Sequence, residues 1–161
     1  VHLASDAEID SIDVGDSVVI VGGGAVGFEA ALDYANLGKR VTLVEMQNEF
    51  AAKMNLSMSC NGGKEILGLL AQNADFTAEY GLTLVEVKDD AIVCRDAATG
   101  ELRELACDTV LLAMGLRERW TLVDELRHCA PESNVAIVGD CRKVATIAEA
   151  VNQAFQACLH I

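Results

Sequence analysis

The stretch Ser17-Val-Val-Ile-Val-Gly22-Gly23-Gly24-Ala25-Val26-Gly27-Phe-Glu29-Ala-Ala-Leu-Asp-Tyr-Ala-Asn-Leu-Gly38-Lys-Arg-Val-Thr-Leu-Val-Glu45 decides the fold. It reads as strand, glycine turn, helix and second strand, with an acid closing the second strand. Gly22, Gly24 and Gly27 stand at the three glycine positions of a dinucleotide-binding fingerprint. Gly22 allows a tight turn out of the strand, Gly24 lets backbone N–H groups approach a pyrophosphate, and Gly27 lets the helix pack close to the sheet. Gly23, Ala25 and Val26 complete the backbone groups at the turn. The helix that follows opens with unpaired N–H donors and the positive end of its dipole facing the phosphates. Glu45 lies 18 residues after Gly27 and 23 after Gly22, close to the expected spacing of about 20 for a ribose-binding acid. The alternative is a tight strand-to-helix turn with no ligand. Strand, helix, second strand and acid together favour the nucleotide.

Outward from this unit, 161 residues suffice for one domain with a core, or one domain and part of another. Apolar residues make up 52% and aromatics 4%, so the core is built from Val, Leu, Ile and Ala, as in buried parallel strands with covering helices. A net charge of −13 argues against nucleic acid and anionic membranes as partners. An acidic chain that binds an anionic dinucleotide must use local donors, and the glycine turn supplies them. No apolar run reaches the roughly 18 residues of a membrane span. The opening Val-His-Leu-Ala-Ser-Asp carries no signal peptide and no initiating Met, as expected of a piece of a longer polypeptide. Six cysteines occur with no CxxC, so neither a short-spaced dithiol nor a zinc site is expected. They read as free thiols of a cytoplasmic protein, most of them small core residues. His2, His128 and His160 form no constellation, and no catalytic residue is assigned.

Along the chain, residues 1–16 are polar and acidic and read as a linker or entry segment. Val18–Val21 is a strand apolar on both faces and therefore central. Ala25–Leu37 is a helix with Val26, Ala30, Tyr34 and Leu37 at helical spacing. Gly38 caps it, with Lys39 and Arg40 suited to that end of the dipole. Val41–Val44 is the second strand. Met46–Gly63 is a long polar stretch with a possible helical turn at 49–54, in which Lys53 reads as solvent-exposed and Met54 and Met58 as packing under a loop. Lys64–Gln72 reads as a helix and Asp75–Thr77 as a short strand. Leu82–Val87, Ala91–Arg95 and Glu101–Ala106 read as an antiparallel meander. Thr109–Ala113 is a buried strand ending at Met114-Gly115, Leu122–Arg127 a short helix, Val135–Val138 a further buried strand closed by Gly139-Asp140. Thr146–Leu159 is a final amphipathic helix carrying Ile147, Val151, Ala154, Phe155 and Cys158 on one face.

This order of signals resembles the flavoproteins with two dinucleotide-binding domains, the superfamily of glutathione reductase. It is most similar to the C-terminal part of the Old Yellow Enzyme-like NADH:flavin oxidoreductases, the group of 2-enoate reductases, 2,4-dienoyl-CoA reductases and trimethylamine dehydrogenase. The tail Val-Gly-Asp-Cys-Arg-Lys-Val-Ala-Thr-Ile-Ala-Glu-Ala-Val-Asn-Gln-Ala-Phe is especially like their endings. The resemblance implies an α/β, Rossmann-like FAD/NAD(P)-binding fold, a central parallel sheet with helices on one face and an antiparallel meander on the other. It implies a linker over 1–16, an NAD(H)-binding domain over 17–115, and the closing segment of an FAD domain over 116–161. Gly22, Gly23, Gly24, Ala25, Val26, Gly27, Glu45 and Met46 would hold NAD(H), with Ala113 and Gly115 passing close to the nucleotide and Gly139 and Asp140 facing FAD. Glu29 matches an acid near the nicotinamide–flavin junction, and reads equally as an ordinary first-turn helix acid. Asp140 reads also as a cap of its own turn.

The FAD domain's own glycine fingerprint and the Old Yellow Enzyme barrel are missing from this sequence, so both would belong to the parent polypeptide. Glu45 would repel the phosphate of NADP, and Met46 and Gln47 follow it rather than an Arg, so NADH is favoured. The implied role is to position NADH for hydride transfer to FAD. Three alternatives stand: a non-catalytic scaffold holding ADP, the FAD fingerprint of another flavoprotein, and a methyltransferase. The Ala-Met-Gly and Gly-Asp strands count against the last.

Overall fold

The computed structural model describes residues 1–4, 12–48, 62–129, 131 and 135–159. Lys53, Met54, Met58, Cys60, His160 and the helical turn expected at 49–54 lie outside the described residues. The chain divides into two compact units, Val1–Gly115 and Leu116–Ile161.

The first unit is built on a five-stranded sheet of order β1-β8-β2-β3-β4. Its strands are β1 (His2–Leu3), β2 (Ser17–Val21), β3 (Arg40–Glu45), β4 (Phe76–Tyr80) and β8 (Thr109–Leu112), all paired in parallel. β2 is the middle strand, as its continuous apolar run predicts. Alternation along the strands sends side chains to opposite faces. Val18, Ile20, Val41, Leu43 and Leu111 pack on one face against Phe28, Ala31, Tyr34 and Ala35 of α1 (Ala25–Asn36) and Leu70 of α2 (Gly62–Leu70). Val19, Val21, Val44 and Val110 pack on the other face against the meander residues Leu82, Ile92 and Cys94. That meander is a separate antiparallel sheet of β5 (Leu82–Val87), β6 (Ala91–Asp96) and β7 (Leu102–Ala106). The architecture is therefore α/β and Rossmann-like, with helices on one face and the meander on the other. Arg103 of β7 bonds Glu79 of β4 at 3.2 Å, linking the two sheets at their rims.

Several local expectations change. Residues 1–16 are not all linker. His2–Leu3 pairs with Leu111–Leu112, and Ala4 N–H donates to the Leu112 carbonyl at 2.9 Å, because an open sheet edge offers unpaired backbone groups. The apolar face of α1 is also rotated from the expected one. Of the expected positions, Tyr34 is buried and Ala30 packs partly buried against the core, whereas Val26 and Leu37 are exposed. Gly27, Phe28, Ala31 and Ala35 are buried with Tyr34. Gly27, on the buried side, lies close on the preceding turn. Lys39 does not serve the helix end; its ammonium bonds the Val14 carbonyl at 3.1 Å and Asp16 at 3.3 Å.

Gly38 does close α1. Its φ is +76°, its N–H donates to the Ala35 carbonyl at 3.0 Å, and the Lys39 N–H donates to that of Tyr34 at 3.1 Å. This is the paired bonding of a left-handed C-terminal cap. An added Cβ meets nothing within 4 Å, so Gly38→Ala carries backbone strain alone. It is expected to cost about 1–2 kcal/mol, read as a lower urea midpoint with unchanged slope.

The second unit contains α3 (Trp120–Arg127), a 3-10 turn over Gly139–Cys141 and α4 (Ile147–Cys158). The Thr146 hydroxyl caps α4, accepting from Glu149 N–H at 3.2 Å. Val135–Val138 is not a strand and is not buried. A β-type sequence becomes a strand only against a partner, and none pairs with it among the described residues. Ile147, Val151, Phe155 and Cys158, the expected apolar face of α4, are likewise exposed. The cysteines divide along the same line. Cys94 and Cys107 are buried, while Cys129, Cys141 and Cys158 are exposed, so core packing accounts for fewer of them than expected. Burial pushes the Cys94 and Cys107 thiols up, which keeps them protonated.

Glu118 ties its segment to the loop before α4 by accepting from Val144 N–H at 3.1 Å. Its own backbone N–H, the Val144 bond and Lys143 hold its carboxyl below the usual value. A folded pKa below the unfolded one contributes stability at neutral pH that is lost as pH falls below about 4.3 and through the lowered value. The Val144 amide resonance is expected to move over that window, and in Glu118→Gln it should not titrate.

Candidate nucleotide-binding cleft

The first unit carries a cleft of about 270 Å³ lined by the glycine turn Gly22–Gly24, by Glu45 and Met46, by Ala113–Gly115, and by Leu82–Leu84. Val21 and Val44 form its floor. The parallel register explains the meeting. Val21 lies beside Val44 on one side and Leu112 on the other, so the glycine turn, Glu45 and Ala113 all leave the sheet at the same edge. This is where ligands bind in open α/β sheets, outside the carboxyl ends of the strands.

Two of the three fingerprint glycines answer to a close contact. Gly22 has φ +115°, and a Cβ there would lie 2.3 Å from the Ala113 carbonyl oxygen. A Cβ on Gly27 would lie 1.9 Å from the Gly22 carbonyl oxygen, so the third glycine seats α1 against the turn. At Gly24 an added Cβ meets nothing. Its missing side chain serves no internal packing and leaves open room at the head of the helix.

The donors are distributed differently from the expectation. Gly22 N–H donates to the Val44 carbonyl at 2.8 Å, and Gly23 N–H to Glu45 Oε2 at 2.7 Å. The first N–H groups of α1, on Ala25, Val26 and Gly27, have no acceptor within the helix. N–H groups at the positive end of a helix dipole are suited to an anion. Glu45 is held at both oxygens, since Gln47 N–H donates to Oε1 at 2.9 Å. Its carboxylate therefore spans from the strand end to the glycine turn with a fixed orientation. Each oxygen keeps a further lone pair for a hydroxyl donor.

Of the residues expected at the site, Gly22, Gly23, Gly24, Glu45, Met46, Ala113 and Gly115 line this cleft. Ala25, Val26 and Gly27 open the adjoining helix. Glu29 does not line the cleft and is exposed. It also lies beyond the first turn of α1, which contains no acid, so the first-turn reading of Glu29 is wrong. Gly139 and Asp140 belong to the second unit. There Gly139 N–H donates to Gln153 Oε1 at 2.9 Å, and Asp140 Oδ1 accepts from Ala145 N–H at 3.3 Å. Missed by sequence were Leu82, Thr83 and Leu84, which no local signal marks as site residues. Met114 was visible between Ala113 and Gly115, and the Gln47 N–H is a backbone donor that no sequence reading shows. Among the described residues no group of three or more His, Cys, Asp or Glu is arranged to hold a metal, and no helix is long and apolar enough to cross a membrane.

Known proteins share both sequence and fold with this chain. Cinnamate reductase of Clostridium sporogenes is 29% identical over 161 residues, all of this chain and 23% of the relative. The structure of 2-naphthoyl-CoA reductase in complex with 2-naphthoyl-CoA superposes with a TM-score of 0.74 at 24% identity, over 93% of this chain and 22% of that one. That of 6-hydroxypseudooxynicotine amine oxidase from Pseudomonas geniculata N1 has a TM-score of 0.79 at 18% identity, over 97% and 24%. The chain thus spans less than a quarter of the length of each of these relatives. The profile of the pyridine nucleotide-disulphide oxidoreductases matches residues 1–154. With the glycine turn, the acid and the meander in their places, the chain belongs to the pyridine nucleotide-disulphide oxidoreductase family.

Proposed function

We propose that the first unit binds NAD(H) as the nucleotide module of a larger flavin-dependent oxidoreductase, and positions NADH for hydride transfer to FAD. The observation that carries this reading is the cleft in which the glycine turn, the oriented Glu45 carboxylate and Ala113–Gly115 converge. The residues fit the group. Open room at Gly24 and the free N–H groups of α1 suit a pyrophosphate. Glu45 suits the two ribose hydroxyls and disfavours a 2′-phosphate. At about 270 Å³ the cleft lies just below the roughly 300–1,000 Å³ of complete small-molecule sites. It suits the ADP half, so the nicotinamide half extends beyond it. When bound, the nicotinamide supplies the hydride. The chain supplies position and electrostatics, and needs no nucleophile of its own.

The rest of the reading follows the relatives. In it, residues 1–16 lead into an NAD(H)-binding domain over 17–115, and residues 116–161 close an FAD domain, with Gly139 and Asp140 toward the flavin and Glu29 near its junction with nicotinamide. The parent would be enoate-reductase-like, with an Old Yellow Enzyme-like barrel carrying the final substrate. Free thiols among the described cysteines support a reducing, cytoplasmic setting.

A second reading is a scaffold site holding ADP, favoured by the same cleft size. Titration calorimetry of the chain with NADH, NADPH, ADP and FAD separates the two. NADH binding tighter than NADPH and tighter than ADP is the expected result. Equal affinities for ADP and NADH would establish the scaffold, and FAD as the tightest ligand would overturn both.

A further inference from the structure

Met46 and Met114 are the two methionines among the described residues, and both line the cleft. They are 63% and 62% exposed, and they are the large apolar side chains of its lining that face solvent. The apolar residues Val21, Val44 and Leu82 of the same lining are buried. Met46 follows Glu45 directly and lines the cleft beside it. Met114 follows Ala113, whose carbonyl backs Gly22, and lines the same cleft. A thioether is flexible and polarisable, and makes favourable contacts with aromatic rings. It is also the side chain whose exposure sets its susceptibility to peroxide.

From this geometry we infer that Met46 and Met114 form an oxidation-sensitive rim that couples nucleotide affinity to peroxide. This rests on the nucleotide reading of the cleft. The chemistry balances without a further reactant. A sulfur lone pair attacks one oxygen of hydrogen peroxide, an S–O bond forms, the O–O bond breaks and water leaves. The sulfur is oxidised by two electrons and the peroxide is reduced. The resulting sulfoxide is polar and chiral, so a contact that favoured the apolar face of a base now holds water. Enzymatic reduction of the sulfoxide restores the thioether, which makes the change a reversible brake rather than damage.

The test uses the full chain before and after limited treatment with hydrogen peroxide, with peptide mass mapping to locate added oxygen. NADH affinity is read by calorimetry on both samples, and ADP is the probe if NADH does not bind. Oxidation at Met46 and Met114 is expected to weaken binding about tenfold, and methionine sulfoxide reductases should restore it. The peroxide-dependent ratio of affinities should fall toward one in the Met46→Leu/Met114→Leu variant. That variant keeps volume and leaves the exposed thiols Cys129, Cys141 and Cys158 as they are. Unchanged affinity with both sulfurs oxidised would overturn the proposal, as would resistance of both sulfurs to oxidation or undiminished sensitivity in the double variant. The untreated titration tests the nucleotide site itself, so the two failures are distinguishable.

Discussion

Gly22→Ala is expected to lower the stability of the first unit by roughly 2–6 kcal/mol, the sum of backbone strain and overpacking. Two independent costs meet there. The φ of +115° is one that residues with a Cβ rarely adopt, and the new methyl would lie 2.3 Å from the Ala113 carbonyl oxygen. That carbonyl cannot retreat freely, because the Ala113 N–H donates to Val21 at 2.8 Å and anchors it to the sheet. Stability of a whole domain is about 5–15 kcal/mol, so this substitution removes a large share. Urea unfolding should show a lower midpoint with little change in slope. Gly24→Ala is the control. Its Cβ meets no protein atom, so stability should change by no more than about 1 kcal/mol while the room for a pyrophosphate is lost. A Gly22→Ala protein as stable as the parent would refute the close approach of turn and strand. Full nucleotide binding by Gly24→Ala would refute the phosphate assignment.

Glu45→Ala is expected to weaken NADH binding by about 1.5–3 kcal/mol, roughly 10- to 100-fold, by removing a charged acceptor from the ribose hydroxyls. It has a second effect. Gly23 N–H, within a buried residue, loses its 2.7 Å acceptor, and an unsatisfied buried donor costs about 1–3 kcal/mol. Part of any loss of affinity therefore comes from a loosened turn. Glu45→Gln separates the two parts. Its amide keeps one acceptor but turns a donor toward either Gly23 or Gln47, each of which already presents an N–H. The charge is gone, so the gap between NADH and NADPH should narrow even where NADH affinity is only partly reduced. Titrations of both nucleotides against both variants provide the measurement. An unchanged NADH affinity in Glu45→Ala would sink the ribose assignment.

Much of the fold was legible because local and global signals agree. The run Val18–Val21 contains no polar residue, and it became the middle strand covered on both faces. The glycine spacing placed the turn and helix, and the separators between the segments at 82–106 placed the meander. Misjudged features depended on partners. The apolar face of α1 was drawn from periodicity through Val26, Ala30, Tyr34 and Leu37. Tyr34 and Ala30 do face the core, but with Gly27 close on Gly22 it is Phe28 and Ala31, not Val26 and Leu37, that are buried beside them. Val135–Val138 has a strand's composition and no strand, because hydrogen bonding to a neighbour is a property of two segments. The wall supplied by Leu82–Leu84 was invisible for the same reason, lying far in sequence from the turn it faces.

Ser17–Glu45, taken alone, determined the α/β class, the position of the glycine turn and the acid at the end of the next strand. Those features depend on steric freedom at glycines, on strand and helix periodicity and on spacing along one chain, all of which are written locally. Only the tertiary structure decided that Glu45 is held at both oxygens by Gly23 and Gln47, and that Met46 and Met114 rim the cleft. These follow from the parallel register that brings three strand ends to one edge, a relation among segments that no single stretch contains.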